Sequence, residues 1–480
     1  MDTRRAPLLA GFMCDTRDAE VPDANPIKVT NPFDGSLVGF APDLGADELK
    51  ARIDALCSGQ TGWAARTAGD RAGRLKAWHA AVLEREEELA RLVTLEAGKP
   101  LAEARAEVRY AAAYIEWFAE EARRTYGEVI PGPWPGARLM TVRQPVGVVA
   151  AITPWNFPLA MITRKVAPAL AAGCSVVLKP AEETPLSAMA LQELALEAGI
   201  PGTVYTTFTS RDAAMFGDIV CDSPRIAKLT FTGSTRIGSL LLGKCAPTVK
   251  RVSLELGGNA PFIVFDDADL DAAVDGFVKA KFRNAGQTCV SPNRLLVQSG
   301  ASSRFLERLM ARLAGLRLGN GLAEGTDLGP LIAGSARSRL EALIEDARAL
   351  GAQILRPCEG ETATVMGPAI VLGATPDMRV VREEIFGPLI PLLTFAGEAE
   401  ALQMANATDA GLAAYVYTRD QARVWRMSEG IEAGMIGINT GAISTEVAPF
   451  GGVKQSGLGR EGGRQGMDDY LEIKYLAVSH

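Results

Sequence analysis

The sequence predicts an α/β protein built on doubly wound, parallel sheets. Short runs rich in valine, isoleucine and leucine alternate with helix-like stretches of about ten to fifteen residues. This alternation occurs in two successive blocks, which begin near Val146 and near Pro261. At 480 residues the chain is also too long for one hydrophobic core, so two or more domains are expected.

The residues before the first block are predicted to be mainly helical. Residues 1–68 form an irregular entry followed by a helix, and 70–98 and 99–126 form two long helices broken by a glycine and a proline. Three closely spaced prolines then predict an extended excursion over 123–145, outside the core.

The first block is predicted to form a sheet with helices between its strands. Helices are expected up to residue 172, over 185–198 and from near Ser234. A parallel sheet of this kind binds ligands beyond the carboxyl ends of its strands. The predicted strands are residues 147–152, 175–179, 203–208, 226–231 and 251–256.

The second block repeats the pattern, with strands predicted at 261–265, 294–298 and 414–418. Its predicted helices are residues 270–281, 303–316 and 337–350. Near the C-terminus, residues 470–478 have a β-pattern and would form an unprotected edge strand unless they pair.

Composition excludes several classes of protein. The net charge of −7 and the pI near 5.3 argue against nucleic-acid binding. No apolar run reaches the ~20 residues of a membrane helix, and the N-terminus lacks a signal-peptide core. The seven cysteines are scattered and never spaced C-x-x-C. We therefore expect a cytoplasmic protein with reduced thiols, without membrane association and without a metal site.

Histidine is nearly absent, which limits the possible chemistry. The two histidines are His79, within a helix-like stretch, and the terminal His480. Cys–His proteases, Ser–His hydrolases and His-rich metal sites are therefore disfavoured. A general base in this chain must be a carboxylate, a lysine or water.

The dinucleotide fingerprint G-x-G-x-x-G occurs at residues 457–462. It follows no predicted strand and lies near the C-terminus, so we interpret it as a glycine-rich loop and not as a nucleotide site. Walker A, G-x-S-x-G and S-x-x-K motifs are absent from the sequence.

Three other residues form a candidate catalytic set. Cys289 lies in a polar, glycine-containing turn and needs an activating environment to react as a thiolate. Glu255 ends a strand among apolar neighbours, where a raised pKa would suit a general base, although an exposed glutamate is an equal alternative. Asn156 lies in an aromatic, proline-flanked turn and could donate to an oxyanion.

Two strand ends offer candidate cofactor contacts. Gly233 and Ser234 end a strand and begin a helix, whose free N–H groups suit a pyrophosphate. Lys179 and Glu182 follow another strand and could hold ribose hydroxyls. Taken alone, the first pattern is weak evidence because many such turns are plain helix caps, and the second is more typical of a solvated loop.

Taken together and in this order, these segments resemble the aldehyde dehydrogenase superfamily over essentially the full chain. The matching segments are residues 153–158, 179–182, 231–234, 254–258, 286–289, 384–388 and 449–452. The resemblance implies two Rossmann-like parallel-sheet domains plus a small β oligomerisation element.

The resemblance also implies roles for individual residues. Cys289 would be the nucleophile, Asn156 the oxyanion donor and Glu255 the base that activates water, with Glu461 a more distant carboxylate of a proton path. The residues implied to bind the cofactor are Ile152, Thr153, Pro154, Trp155, Lys179, Glu182, Gly233, Ser234, Leu256, Glu384 and Phe386.

The expected cofactor is NAD, with NADP possible. Glu182 would accept hydrogen bonds from a ribose diol but would repel a 2′-phosphate, whereas Lys179 would tolerate one. Arg211 stands where many relatives have a glycine-containing turn, and its position relative to the adenine end is left open.

A closer resemblance is to the succinate-semialdehyde dehydrogenase branch, carried by residues 161–165, 281–284 and 441–444. It implies that Arg164, Arg283 and Ser444 hold the far carboxylate of the substrate, which suits the bidentate geometry of arginine. The alternatives are that the arginines form structural ion pairs, or that the substrate is glutarate semialdehyde or a sulfonated aldehyde such as sulfolactaldehyde. Ser291 replaces the second cysteine that some relatives use as a redox switch.

Two alternatives from other functional classes are a thiol esterase that uses Cys289 without redox chemistry, and a catalytically silent relative. The resemblance implies a cofactor domain of residues 1–122 and 146–256 and a catalytic domain of 257–455. Residues 123–145 and 456–480 would form an oligomerisation element, giving a homodimer or a homotetramer.

Overall fold

The computed structural model describes residues 25–360 and 362–479. The predicted irregular N-terminus, the first 24 residues of the predicted cofactor domain and His480 lie outside the described residues. Within the described part, each helix is too short or too polar to cross a bilayer.

The chain begins with a short antiparallel hairpin followed by four helices. In chain order these elements are β1 Ile27–Thr30, β2 Leu37–Ala41, α1 Ala46–Ala64, α2 Ala68–Glu84, α3 Glu86–Ala97 and α4 Leu101–Glu121. The single helix predicted over residues 70–98 is wrong, because α2 ends and α3 begins at Arg85. Three glutamates follow Arg85, and carboxylates at this position stabilise the positive end of a new helix dipole.

The next elements are two antiparallel strands and the first α/β block. They are β3 Val129–Pro131, β4 Ala137–Pro145, β5 Val148–Ile152, α5 Ala160–Ala172, β6 Ser175–Lys179, α6 Pro185–Glu197, β7 Tyr205–Thr207, α7 Ala213–Asp222, β8 Ile226–Thr232, α8 Thr235–Cys245 and β9 Arg251–Glu255. The five strands β5 to β9 were all predicted and are mutually parallel. Helix α5 ends at Ala172 as predicted, and it begins only at Ala160 because Pro154 and Pro158 disfavour helix in the preceding turn.

The second α/β block contains more strands than the sequence predicted. Its elements are β10 Pro261–Val264, α9 Leu270–Phe282, β11 Arg294–Gln298, α10 Ser302–Ala314, α11 Gly334–Ala349, β12 Gln353–Leu355, β13 Ala369–Leu372, α12 Arg379–Arg382, β14 Leu389–Phe395, α13 Glu398–Asn406, β15 Ala410–Gly411, β16 Ala413–Tyr417, α14 Gln421–Gly430 and β17 Met435–Ile438. The C-terminal strands are β18 Val453–Lys454, β19 Gly457–Leu458 and β20 Leu471–Ser479.

Two sheets dominate the molecule. The first has the strand order β19-β9-β8-β5-β6-β7, and the second β12-β13-β14-β11-β10-β16-β17. Only the edge strands β19 and β12 run antiparallel to their neighbours within these two sheets. The predicted α/β class with parallel, Rossmann-like sheets is confirmed.

Helices cover both faces of the first sheet, as a doubly wound fold requires. Helices α2 to α6 pack on one face through Trp78, Ile115 and Leu170, among others. Helices α1 and α7 pack on the other face through Leu56 and Phe216. The buried residues of the second sheet form a separate core.

A third sheet, of order β20-β4-β3, is antiparallel. Strand β20 pairs with β4 over nine residues, from Leu471 opposite Pro145 to Ser479 opposite Ala137. Its strands come from the two segments predicted to form the small β element. The domain boundaries that the sequence suggested remain our proposal.

Candidate active site

A cavity of about 410 Å³ brings most of the predicted site residues together. The predicted residues that line it are Pro154, Trp155, Asn156, Arg164, Gly233, Ser234, Glu255, Leu256, Arg283, Cys289, Glu384, Phe386 and Ser444. Ile152, Thr153, Lys179 and Glu182 do not line this cavity. These four lie together at the carboxyl ends of β5 and β6, where Ile152 pairs with Lys179 and the Thr153 N–H donates to the Lys179 carbonyl at 3.1 Å.

Hydrogen bonds join the two ends of the loop that carries Cys289, and the backbone at the start of the loop is strained. Lys281 Nζ donates to the Pro292 carbonyl at 2.9 Å, and Ser291 Oγ donates to the Lys281 carbonyl at 3.2 Å. Asn284 and Ala285 have φ values of 51° and 56°, a left-handed conformation that non-glycine residues rarely adopt. The surrounding contacts must therefore hold this loop in place.

The Cys289 side chain lines the cavity beside Glu255. Burial, followed by the nearby negative charge of Glu255, raises the pKa of the thiol well above its usual value. A thiol is a poor nucleophile, so the site needs a base that can take its proton.

Glu255 is the nearest candidate for that base. Its side chain ends β9, is 3% exposed and has no hydrogen-bond partner for either oxygen among the described residues. Burial raises its pKa to about 7, against the opposing effect of Arg164. A carboxyl group with this pKa can accept and return a proton near neutral pH.

Asn156 lines the cavity and contacts the loop that carries Cys289. Its Nδ2 donates to the Gln287 carbonyl at 3.1 Å, two residues before Cys289. Its own carbonyl accepts hydrogen bonds from Lys99 Nζ at 2.7 Å and from Asn284 Nδ2 at 3.1 Å. The amide that the sequence suggested as an oxyanion donor is therefore attached directly to the cysteine loop.

Arg164 differs from the expectation of a free substrate-binding cation. Its Nη2 lies 2.6 Å from Glu461 Oε2, and Lys165 forms an ion pair with the other oxygen of the same carboxylate. The guanidinium also lies 4.0 Å above the ring of Phe450. Burial opposes the charged form of Glu461, but Lys165 and Arg164 lower its pKa to about 2. Arg164 lines the cavity with its charge already compensated.

Arg283 is different, because no carboxylate of the described residues lies within ion-pair distance of it. Its guanidinium is held between two aromatic rings, 4.5 Å from the Phe157 centroid and 5.7 Å from that of Tyr110. Such stacking fixes a guanidinium while leaving its N–H edge free to bind an anion. Ser444 lines the same cavity and is half-buried.

Other residues that line the cavity have the features of a dinucleotide site. Ser234 caps α8, and a side chain at Gly233 would lie 2.5 Å from the Phe231 ring, so the backbone there stays open. The Ser234 side chain accepts from the Ile237 N–H, and the other N–H groups of this helix end suit a phosphate group. Glu384 accepts from the Gly258 N–H at 3.1 Å, and burial raises its pKa to about 7. These residues fit a nicotinamide dinucleotide.

The residues predicted for the adenosine side are partly engaged with each other. Lys179 Nζ forms an ion pair with Glu182, whose side chain stays 34% exposed. Arg211 is occupied elsewhere: its Nε donates to Asp43 at 3.0 Å, and its Nη2 contacts the Asn25 carbonyl.

Sequence reasoning did not identify several residues of the cavity wall. Tyr110 and Arg339 come from helices α4 and α11, and Arg339 Nη1 donates to the Glu384 carbonyl at 3.1 Å. Neither has a local motif, and only tertiary packing brings them to the cavity. The other cavity residues that were not predicted as site residues are Phe157, Met161, Thr232, Gly257, Thr288, Val290 and Phe450.

Comparisons with known proteins identify the family of the chain. The model of the aldehyde dehydrogenase family matches residues 20–476. A glutarate-semialdehyde dehydrogenase of Pseudomonas putida is 53% identical over 453 residues, covering 94% of both chains. The NADP(+) succinate-semialdehyde dehydrogenase of Escherichia coli is 52% identical over 479 residues, covering 99% of this chain and 98% of the relative.

A third relative, a 3-sulfolactaldehyde dehydrogenase of Pseudomonas putida, is 53% identical and covers 94% of this chain and 93% of its own. The crystal structure of an aldehyde dehydrogenase from Brucella melitensis biovar abortus superposes with a TM-score of 0.95 at 52% identity, covering 100% of this chain and 99% of that one. The chain belongs to the aldehyde dehydrogenase family and is an oxidoreductase acting on aldehydes.

Proposed function

We propose that this enzyme oxidises a small anionic aldehyde with a nicotinamide cofactor, and that succinate semialdehyde, which yields succinate, is its main substrate. The observation that carries the proposal is Arg283, a cation without a carboxylate partner among the described residues, which lines the same cavity as Cys289. A guanidinium in this position favours a substrate whose far end is a carboxylate. Ser444 and the compensated Arg164 complete that end of the cavity.

In the proposed reaction, Cys289 attacks the aldehyde carbon after its proton has been removed. Asn156 Nδ2 and the Cys289 backbone N–H bind the oxyanion that forms. The cofactor, when bound, supplies the hydride acceptor. Glu255 then activates the water that hydrolyses the Cys289 thioester, a role that suits its pKa of about 7.

The cofactor of the family is NAD or NADP, and we propose that this enzyme prefers NAD. The exposed Glu182 carboxylate accepts ribose hydroxyls but repels a 2′-phosphate. The relative of Escherichia coli named above is an NADP(+) enzyme, so NADP remains a possible second cofactor. Lys179 provides the positive charge that would allow it.

Two other anionic substrates would use the same arginine. Relatives at 53% identity are named for glutarate semialdehyde and for sulfolactaldehyde, and both compounds carry an anionic group at the far end. A thiol esterase without redox chemistry is the alternative from another class. The phosphate-binding helix end at Gly233 and Ser234 favours the dehydrogenase.

The decisive experiment compares substrates and one arginine variant. Arg283→Ala should lower kcat/KM for succinate semialdehyde by about 100-fold, because a charge-assisted pair worth about 2–3 kcal/mol is lost. It should change acetaldehyde oxidation by less than about threefold, since acetaldehyde has no far charge to bind. Measurements of NADH absorbance with succinate, glutarate, sulfonated and neutral aldehydes provide both values.

Arg308→Ala serves as the matched control, because Arg308 pairs with Asp271 on an exposed surface. Equal losses for acetaldehyde and succinate semialdehyde in Arg283→Ala would contradict the role in anion binding. Cys289→Ala should abolish NADH formation. Hydrolysis of an activated ester without any aldehyde oxidation in the unmodified enzyme would instead support the thiol esterase.

A further inference from the structure

Ionic side chains at the start of helix α4 contact both catalytic loops. Lys99 is 1% exposed, Glu107 is fully buried, and the two form an ion pair. The backbone before Lys99 is tightly packed. Gly98 has a φ of 78°, and a side chain there would lie 2.5 Å from Pro330.

This ion pair is attached to the loop that carries Asn156. Lys99 Nζ donates to the Asn156 carbonyl at 2.7 Å and lies 4.1 Å above the Phe157 ring. Glu107 Oε1 accepts from the Leu159 N–H at 2.9 Å and the Ala160 N–H at 3.3 Å. Helix α5 has no cap from its own N-cap side chain, so Glu107 caps it from α4.

The same helix also holds the cysteine loop. Glu103 Oε2 accepts from the Asn284 N–H at 2.8 Å, at the left-handed start of that loop. Asn284 Nδ2 then donates to the Asn156 carbonyl, and Asn156 Nδ2 donates to the Gln287 carbonyl. Helix α4 therefore joins two loops that lie about 130 residues apart in the sequence.

A buried ion pair is a poor stabilising device, because an apolar pair of equal volume often stabilises a protein more. This ion pair is placed so that Lys99 binds the backbone carbonyl of Asn156, a residue that lines the cavity. We propose that Lys99, paired with Glu107, is a positioning residue that fixes the Asn156 amide for oxyanion binding. This proposal rests on the proposed role of Asn156.

A double-mutant cycle tests the proposal. Lys99→Met should lower kcat/KM by about 10- to 100-fold, since a misplacement of about 1 Å costs this much. Asn156→Ala should lower it by about 10²- to 10³-fold. If Lys99 acts through Asn156, the double variant should be no slower than Asn156→Ala, and the alkylation rate of Cys289 by iodoacetamide in Lys99→Met should be unchanged.

Two additional variants guard against misfolding and non-specific effects. Lys99→Met/Glu107→Gln removes the ion pair without leaving one buried charge, and should reproduce the loss if Lys99→Met does not fold. Arg105→Met on α4, which breaks an exposed pair with Glu87 of α3, should keep full activity.

Full activity in either Lys99 variant would overturn the proposal, as would losses that multiply in the Lys99→Met/Asn156→Ala enzyme. Full activity in Asn156→Ala has a different meaning. It would refute the proposed oxyanion role itself, and the positioning role of Lys99 with it.

Discussion

Glu255 illustrates how one residue can serve catalysis at the expense of stability. Its carboxyl group is buried, and its pKa is raised from 4.5 to about 7. The folded protein therefore binds a proton more tightly than the unfolded chain does between these values. Stability is highest below pH 4.5 as far as this group is concerned, and falls as the pH rises through 7.

We predict that Glu255→Gln raises stability while it removes activity. At pH 8 the variant should gain up to about 3 kcal/mol in unfolding free energy, because each pKa unit corresponds to about 1.4 kcal/mol. At pH 4 the gain should vanish. The wild-type kcat should rise as the pH passes through 7. The kcat of the variant should be about 10²–10⁴-fold lower and should show no such rise. Urea unfolding at both pH values and a pH–rate profile provide the comparison, and an equal stability gain at pH 4 would contradict this explanation.

At the residue scale, the sequence predicted those catalytic residues that lie in short local motifs. Cys289, Glu255 and Asn156 stand in short, recognisable segments, and the structure brings them to one cavity. Tyr110 and Lys99 could not be predicted, because their contacts depend on how α4 packs against loops far away in the chain. An ion pair of Arg164 was one of the alternatives from the sequence, but its partner Glu461 could not be identified for the same reason.

At the element scale, the ends of the strands decide what each loop can bind. The loop after β6 brings Lys179 and Glu182 together, one of them buried and the other partly exposed. The exposed carboxylate is therefore the group that a ribose or a 2′-phosphate would meet first. Cofactor preference depends on this single loop in our proposal.

We predict that Glu182→Ser raises the ratio of kcat/KM for NADP over NAD by about tenfold, equivalent to about 1.4 kcal/mol. The serine removes the repulsive charge and leaves Lys179 free to attract the phosphate. Glu183→Ser removes the same charge one residue further along and should change the ratio less than about twofold. An unchanged ratio in Glu182→Ser would show that another element selects the cofactor.

The strands of the first block were predicted well because each is a short, largely apolar run between clear turns, whereas helix α7 between β7 and β8 was not predicted. Strand β14 was missed, since Pro391 within it argues against a central strand. The break at Arg85 was missed because apolar residues continue at helical spacing on both sides of it.

At the scale of the whole molecule, the third sheet exposes apolar side chains along its outer strand. Ile473 and Tyr475 on β20 are 65% and 56% exposed. A long edge strand of this composition is prone to pair with another chain. We therefore propose that this sheet joins copies of the enzyme into a homodimer or a homotetramer.

Ile473→Glu should reduce the molar mass in solution at least by half, because a charge would be buried in the contact between subunits. Light scattering after size-exclusion chromatography measures this mass. Val249→Glu is the control, since Val249 is 91% exposed outside this sheet. Equal masses for Ile473→Glu and the unmodified enzyme would exclude β20 as the interface.

The closed loop between Lys281 and Pro292 bears on which length of substrate the cavity accepts. Arg283 and Cys289 both lie within it, so local backbone geometry fixes the span between the anion-binding group and the nucleophile. The loop therefore helps to set the distance between the group that binds the substrate anion and the group that attacks the aldehyde. The rings of Tyr110 and Phe157 hold the guanidinium from outside the loop, so the preferred substrate length depends on them as well as on this segment.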